Sequence, residues 1–459
     1  MSMRRSIRAT VIAGLVGVSL IVGVGASAAV NVTSVQLASG ADPQSSKVMA
    51  IVGNYAYTLN NGDSTMSRID LTTGQAINAF ATLGGAANSF NGLDVEGNYG
   101  YAINPNVTNR PLQRVDLTTG VVTTVVGTQS CTGGTPGWPV VDGNFLYAIS
   151  QGSGTILKVD LSTGACNSSW ATGVPTSFVN RVKRIGNSIY VLDTASATIA
   201  RVDLASGGAA TTVATISSGT PWDMVAAGTF LYVLDVAGPI TRLNLSGSGS
   251  PVSFATAPSL VRGIAVAGGF LYVAGSSLYQ FPLATGGSPV NSWTLGGGYY
   301  ANLAVANGVA ATVGMSTAPS ADKVAIVKTL PSASLAPAGQ TVSATVGTPV
   351  STTPISAATF SVSPVTFTIS PNLPAGLSFD PSTGVISGTP SAAFPLTTFT
   401  ITGTDGVDTS TSTVSLAVNA APSLAATGSA PAVPLAAGVV SLLLGGAILA
   451  IRRRFRSSH

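Results

Sequence analysis

Histidine and glutamate are almost missing from this chain: the only histidine is the last residue, His459, and the only glutamate is Glu96. A histidine general base, a Ser-His-Asp triad or a histidine-ligated metal needs an imidazole inside a folded domain, so those chemistries are excluded. Charge of either sign is scarce, at 8% of 459 positions, which leaves a surface rich in hydroxyls. The formal charge of +4 is an end effect. Arg4, Arg5 and Arg8 open the chain and Arg452, Arg453, Arg454 and Arg456 close it, and between them 13 Lys/Arg face 16 Asp/Glu. A middle section of net charge −3 argues against nucleic acid as a partner. Cysteine is limited to Cys131 and Cys166, 35 residues apart. In an exported chain they are expected to form one disulfide, the alternative being two buried thiols. Neither a cofactor nor a catalytic set is expected.

What the chain has instead is a repeat. Gly143-Asn144-Phe145-Leu146-Tyr147 followed by Lys158-Val159-Asp160-Leu161-Ser162-Thr163-Gly164 is its clearest copy. The tyrosines at 57, 101, 147, 190, 232 and 272 are 44, 46, 43, 42 and 40 residues apart. A period in that range marks a repeat architecture. Each copy reads as short strands: Phe230-Leu231-Tyr232-Val233-Leu234-Asp235 is an aromatic and β-branched run bounded by Gly228 and Gly238. The fold class is therefore all-β. Four strands per copy arranged about an axis predict a β-propeller over 30–330, with six plain repeats and a degenerate seventh opening at Leu303-Ala304-Val305-Ala306-Asn307-Gly308. That last unit has room for three strands, so the alternating segment Val30 to Leu37 is expected to pair into it and close the ring.

Tyr190-Val191-Leu192-Asp193 and Tyr232-Val233-Leu234-Asp235 resemble the Tyr-Val-Thr-Asn signature of the YVTN-type and NHL-like β-propellers. That resemblance covers roughly 280 residues, implies the propeller architecture and says little about ligand. Residues 331–339 read as a Pro/Ala/Ser linker. Beyond it, Leu373-Pro374-Ala375-Gly376-Leu377-Ser378-Phe379-Asp380-Pro381-Ser382-Thr383-Gly384-Val385-Ile386-Ser387-Gly388-Thr389-Pro390 closely resembles the immunoglobulin-like domain found in strings on bacterial surface proteins. An Ig-like β-sandwich over 340–419 is implied.

Both ends read as sorting devices. Basic residues to Arg8, an apolar run from Ala9 to Val24 and Ala26-Ser27-Ala28 make 1–28 a secretory signal peptide cut after Ala28. Leu424, Ala425, Ala426, Thr427 and Gly428 are followed by the uncharged run 435–451 and a basic tail, 452–459. Seventeen apolar residues from Leu435 to Ile451 stand at the short end of what a single transmembrane helix needs, and the arginines place its end in the cytoplasm. The ordered triplet resembles a Gram-positive cell-wall sorting signal, with Ala425 in place of the usual proline as in the Leu-Ala-x-Thr-Gly form of high-GC actinobacteria. The resemblance implies a sortase that cuts between Thr427 and Gly428 and joins Thr427 to peptidoglycan or a pilin-like acceptor. A membrane anchor that is never cut is the alternative.

Three sets of side chains invite a functional reading. Asp70, Asp116, Asp160 and Asp203 recur once per repeat, too dispersed to share one ion. They are expected to hold the turns that follow them, while Arg68, Arg114, Lys158, Arg201 and Arg242, two places earlier, are expected to pair with acids on neighbouring strands. Asn91, Trp138, Arg181, Trp222, Arg262 and Asn302 lie where strands enter the ring. They could line a channel mouth and hold a carbohydrate or peptide, or the tryptophans could simply cap the core. Asp380, Asp405 and Asp408 are a weak calcium candidate, with too few acids for a full oxygen shell. The function that follows is a cell-surface-anchored binding or display protein, for adhesion or ligand capture from an extracellular glycan or protein. The alternatives are an extracellular propeller lyase or hydrolase, or a passive wall component.

Overall fold

The protein is described by a computed structural model covering residues 32–36, 49–60, 63–83, 90, 92–104, 111–127, 135–217, 219–247, 250–258, 260–295, 300–314, 323–328 and 330–422. After β1 (Val32–Gln36) the strands come in groups of four. β2 (Met49–Val52), β3 (Tyr55–Asn60), β4 (Thr65–Asp70) and β5 (Ala76–Thr82) pair antiparallel in that order, as do β6 (Leu93–Glu96), β7 (Tyr99–Ile103), β8 (Pro111–Asp116) and β9 (Val122–Gly127). β10 (Thr135–Asp142), β11 (Phe145–Gln151), β12 (Thr155–Asp160) and β13 (Cys166–Thr172) form the third group. β14 (Val179–Ile185), β15 (Ser188–Asp193), β16 (Thr198–Asp203) and β17 (Gly207–Thr215) form the fourth. A short parallel pairing of Ala171 with Gly208 and Thr172 with Ala209 joins these two into one eight-stranded sheet.

The fifth group is β18 (Pro221–Ala227), β19 (Phe230–Asp235), β20 (Pro239–Asn244) and β21 (Val252–Thr256). The sixth is β22 (Gly263–Ala267), β23 (Phe270–Ala274), β24 (Ser277–Pro282) and β25 (Asn291–Thr294). The seventh has three strands of its own, β26 (Tyr300–Ala306), β27 (Val309–Gly314) and β28 (Lys323–Val327), and takes β1 as its fourth. Val32 lies opposite Val327 and Gln36 opposite Lys323, so the pairing expected for the N-terminal segment is present over 32–36.

The first strands of successive groups lie side by side, from β2 and β6 round to β22 and β26, and β26 lies against β2 again. Apolar side chains fill the spaces between groups. Tyr57 and Met66 share a core with Leu93 and Val115, Tyr147 and Ile149 with Ile189 and Val191, and Leu234 and Ile240 with Leu271 and Val273. Val313 and Val324 share one with Met49 and Ala56, linking the last group to the first. Both faces of the middle strands are covered, which is why they read as unbroken apolar runs rather than alternating ones. Each buried large side chain contributes roughly 1.5–3 kcal/mol.

The repeat glycine has a backbone reason. Gly143 turns from β10 into β11 at φ +56°, a left-handed conformation that costs glycine little, and Asn307 takes the same role at φ +51° in the seventh group. The recurrent aspartates hold the turns after the third strands, as expected. Asp70 accepts N–H bonds from Thr72 at 2.7 Å and Thr73 at 3.1 Å, and Asp160 from Ser162 at 2.8 Å and Thr163 at 3.1 Å. The basic residues two places earlier do not make the expected ion pairs. The ion pairs among the described residues are Arg181–Asp223 and Arg184–Asp142; Arg68, Arg114, Lys158 and Arg242 lie over aromatic rings instead. The acids are already engaged by their own turns, and the second strands offer Tyr or Phe on the same face.

The C-terminal module starts earlier than its sequence suggests. Within the stretch read as a linker, β29 (Ser334–Ala336) pairs with β32 (Ser356–Ala358) and buries Leu335. β30 (Gly339–Thr345), β37 (Thr409–Asn419), β36 (Phe394–Thr404) and β33 (Thr366–Ser370) form one sheet; β31 (Val350–Ser351), β35 (Ile386–Gly388) and β34 (Leu377–Phe379) form a smaller one. Ile386, Phe367, Ile401 and Val414 meet between them. Among the described residues no helix is long and apolar enough to cross a membrane. The segments expected to be signal peptide (1–28), sorting pentapeptide (424–428), transmembrane helix (435–451) and basic tail (452–459) lie outside the described residues.

Candidate functional site

Of the residues singled out where strands enter the ring, Trp138, Arg181, Trp222 and Asn302 sit at irregularities in the first strands, whereas Arg262 immediately precedes β22, whose pairing with β23 is regular. Pairing of β10 with β11 shifts between Gly137 and Val140, of β14 with β15 between Val179 and Arg181, of β18 with β19 between Pro221 and Asp223, and of β26 with β27 between Ala301 and Ala304. Trp138 and Asn302 adopt positive φ, +55° and +54°. A bulge re-aims the side chains beside it, and here it recurs from group to group.

These irregularities bring together side chains far apart in sequence. Arg181 donates from Nε to Asp223 Oδ1 at 2.7 Å and from Nη2 to Asn302 Oδ1 at 2.8 Å, so one guanidinium on the fourth group ties the fifth to the seventh. Asp223 also accepts the N–H groups of Met224 at 2.8 Å and Ile264 at 3.4 Å. Asn180 donates to the carbonyl of Trp222. The Arg181 guanidinium lies 5.9 Å from the Trp138 ring and that of Arg262 lies 4.4 Å from the Trp222 ring.

Trp138, Arg181 and Asn302 are only 2%, 3% and 5% exposed, whereas Trp222 and Arg262 are half-buried. Three members of the expected channel-mouth set are thus buried, and Trp138 and Arg181 of these line a small cavity. Asn91 lies outside the described residues. The cavity beside Trp138 and Arg181 holds about 140 Å³, below the usual size of a small-molecule site. Asp94 lines the same cavity, accepts the Val141 N–H at 2.7 Å, and has its carboxyl pushed up by burial.

Asp405 and Asp408, read as weak calcium candidates, have another role. Asp408 reaches from the β36–β37 hairpin to the turn between β22 and β23. Its two oxygens each take the Gly268 N–H at 3.1 Å, and Oδ2 also takes the Ser361 N–H at 2.8 Å. Ser361 Oγ in turn accepts the Gly269 N–H at 3.1 Å, and Asp405 accepts the Val362 N–H at 2.6 Å. Sequence reasoning missed this junction; the one signal for it was the Gly268-Gly269 pair, where most other repeats have Gly-Asn or Gly-Thr. Asp380 binds its own turn, and the hydroxyl of Ser382 is the main cause that draws its carboxyl down to about 2. Among the described residues no group of three His, Cys, Asp or Glu could hold a metal. Cys166 is disulfide-bonded; Cys131, the chain's other cysteine, lies outside the described residues.

No curated protein matches the chain in sequence. Among solved structures it is similar to the crystal structure of the computationally designed Ika8 protein, at TM-score 0.44 and 11% identity over 61% of this chain and 82% of that one. It is also similar to a chain of the Nidogen/Laminin complex, at TM-score 0.39 and 15% identity over 50% of this chain and 90% of that one. Residues 324–419 match the family model described as "Putative Ig domain", which begins inside β28 and takes in the whole C-terminal module, so the described residues, all-β throughout, include an Ig-like domain.

Proposed function

We propose that residues 30–330 form a seven-bladed β-propeller which the Ig-like module holds out from a cell surface, and that the protein binds an extracellular ligand rather than transforming one. The circuit of first strands that returns from β26 to β2 supports the architecture. The observation that carries binding over chemistry is the commitment of the inner acids. Asp223 is paired with Arg181 and Asp142 with Arg184, while Glu96 holds the Gly143 N–H and Asp94 the Val141 N–H. A general acid or base needs a proton that can move to a substrate, and these groups are engaged in holding one strand to the next.

Export and anchoring rest on the sequence of the two ends, with Ala26 and Ala28 at the signal-peptide cut and Leu424-Ala425-Ala426-Thr427-Gly428 before the apolar run. By resemblance, sortase and peptidoglycan or a pilin acceptor are the partners at Thr427. Mass spectrometry of wall digests tests this: Thr427 joined to a wall fragment is the expected species, and an intact C-terminus running to His459 on all molecules sinks it. Function is tested by probing arrays of glycans and matrix proteins with the purified protein, beside turnover assays on the array hits. Retention of at least one class without turnover is expected. Turnover, or no retention on any spot, overturns the reading.

A further inference from the structure

In three repeats a cation on the third strand lies against aromatic rings of the second and fourth. Arg68 is 4.8 Å from the Tyr55 centroid and 4.3 Å from that of Phe80. Lys158 is 3.9 Å from Phe145 and 5.8 Å from Trp170, and Arg242 is 4.6 Å from Phe230 and 5.6 Å from Phe254.

Two differences set Arg242 apart. Where Asp70 and Asp160 follow Arg68 and Lys158 by two residues, Asn244 follows Arg242, so the acid of the repeat is gone. The Asn244 amide oxygen still holds the turn, accepting from the Ser246 N–H at 3.0 Å, so the fold keeps its bond while Arg242 loses the acid two places on. The second difference is that the Ig-like module closes over this stack. Its segment 360–363 runs against the β18–β19 turn, so near that a Cβ on Gly228 would come within 2.9 Å of Val362 Cγ1. The result is a cavity of about 560 Å³ with Phe230, Tyr232 and Arg242 on the ring side and Phe360, Ser361 and Ser363 on the other. Among the described residues Arg242 is the one charged side chain in its lining.

That size suits a small ligand or one unit of a polymer. Phenyl faces pack against the C–H face of a pyranose, the hydroxyl of Ser363 exchanges hydrogen bonds with sugar hydroxyls while that of Ser361 is engaged with Asp408 and Gly269, and a guanidinium presents forked N–H donors to a carboxylate. We propose that this junction is a binding site for an acidic sugar residue, a uronate, and that the Ig-like module is one wall of the site as well as a spacer. The proposal rests on the reading of the protein as a ligand binder.

Calorimetric titration of the secreted full chain with D-glucuronate, glucose and acetate tests it. Glucuronate is expected to bind about tenfold or more tightly than either of the others, since each lacks half of the recognised chemistry. Arg242→Gln is expected to lose about tenfold or more of that affinity. Asn244→Asp, which restores the acid the other repeats carry, is expected to lose several-fold, and Arg68→Gln, at the open stack, nothing. Phe360→Ala is expected to weaken binding from the Ig-like side. Saturation-transfer NMR on the unmutated protein, from aromatic resonances to the glucuronate ring protons, needs no variant to fold. Absence of that transfer, equal affinity for acetate, or an Arg242→Gln protein that binds like wild type overturns the proposal. Retention of neutral glycans or proteins on the arrays without any uronate sinks this site alone, whereas arrays that stay blank sink the parent reading.

Discussion

Two buried carboxylates, one inside the ring and one at its junction with the Ig-like module, are satisfied in opposite ways. Asp223 is 4% exposed and faces a guanidinium, itself buried and shared with Asn302. Asp408 is 9% exposed and is surrounded by neutral donors, the N–H groups of Gly268 and Ser361 and the Ser361 hydroxyl. A buried charge can be cancelled by an opposite charge or dispersed over dipoles, and the two solutions fail differently. Losing half of an ion pair leaves an uncompensated ion in a low-dielectric space; losing a carboxylate among dipoles leaves neutral groups.

The largest expected effect follows from the first case. Asp223→Ala leaves the Arg181 charge buried and is expected to cost about 3–5 kcal/mol in denaturant unfolding of the ring. Replacing both partners by apolar residues, Arg181→Met with Asp223→Leu, is expected to recover most of that loss. A single-variant cost below about 1 kcal/mol would show that water and the Asn302 amide suffice to solvate the guanidinium. Asp408→Ala is the contrasting test, expected to cost about 1–3 kcal/mol. That loss should appear as faster proteolysis between the ring and the module, with the unfolding of the ring unchanged. Equal effects on both transitions would mean that ring and module unfold as one unit.

The parts of this arrangement that could be read from the sequence are those in which a residue answers to its neighbours. The turn glycines, the aspartates that hold N–H groups two and three places on, and the alternating segment that becomes β1 are all local. Arg181 was visible as a residue at a strand entrance, but its partners lie 42 and 121 residues away, and nothing near it signals them. Asp408 looked like a sparse calcium ligand because its donors belong to Gly268, 140 residues earlier, and to Ser361. β29 was hidden in a Pro/Ala/Ser stretch because three residues that pair with a distant three-residue strand carry no period of their own.

Acid separates the two kinds of carboxylate further. In Asp70 the Thr72 hydroxyl, and in Asp116 the Thr119 N–H, are the leading causes that lower the carboxyl, and Asp160, Asp203 and Asp380 are lowered in the same manner. A group whose folded value is depressed adds stability above its unfolded value near 3.9 and loses it as pH falls through the folded one. Unfolding midpoints are therefore expected to hold from neutral pH to about 4 and then decline toward pH 2, where Asp380 titrates. Asp94 has the opposite sign: burial raises its carboxyl, so its contribution is full below the unfolded value and is lost as pH rises through the folded one. Asp94→Asn is expected to leave the midpoint at pH 7 equal or higher while flattening that rise-dependent loss. A midpoint that drops at pH 7 would mean that the ionised carboxylate bound to the Val141 N–H is the form the fold requires.

The smallest effect bears on a third way of settling a charge, against the face of a ring. Arg68 lies between Tyr55 and Phe80, and the acid two residues on, Asp70, is engaged by its own turn. A double-mutant cycle between Arg68→Gln and Phe80→Leu is expected to give a coupling of about 0.5–1 kcal/mol, and a cycle between Arg68→Gln and Asp70→Asn essentially none. Coupling to Asp70 that exceeds coupling to Phe80 would restore the ion pair and make the aromatic contact incidental. The same pair of cycles at Arg242 has no acid to test, because Asn244 stands there. A ring coupling at Arg242 as large as that at Arg68 would show that the charge is held equally well without the repeat's acid, and so can be presented to the cavity without loosening the strand that carries it.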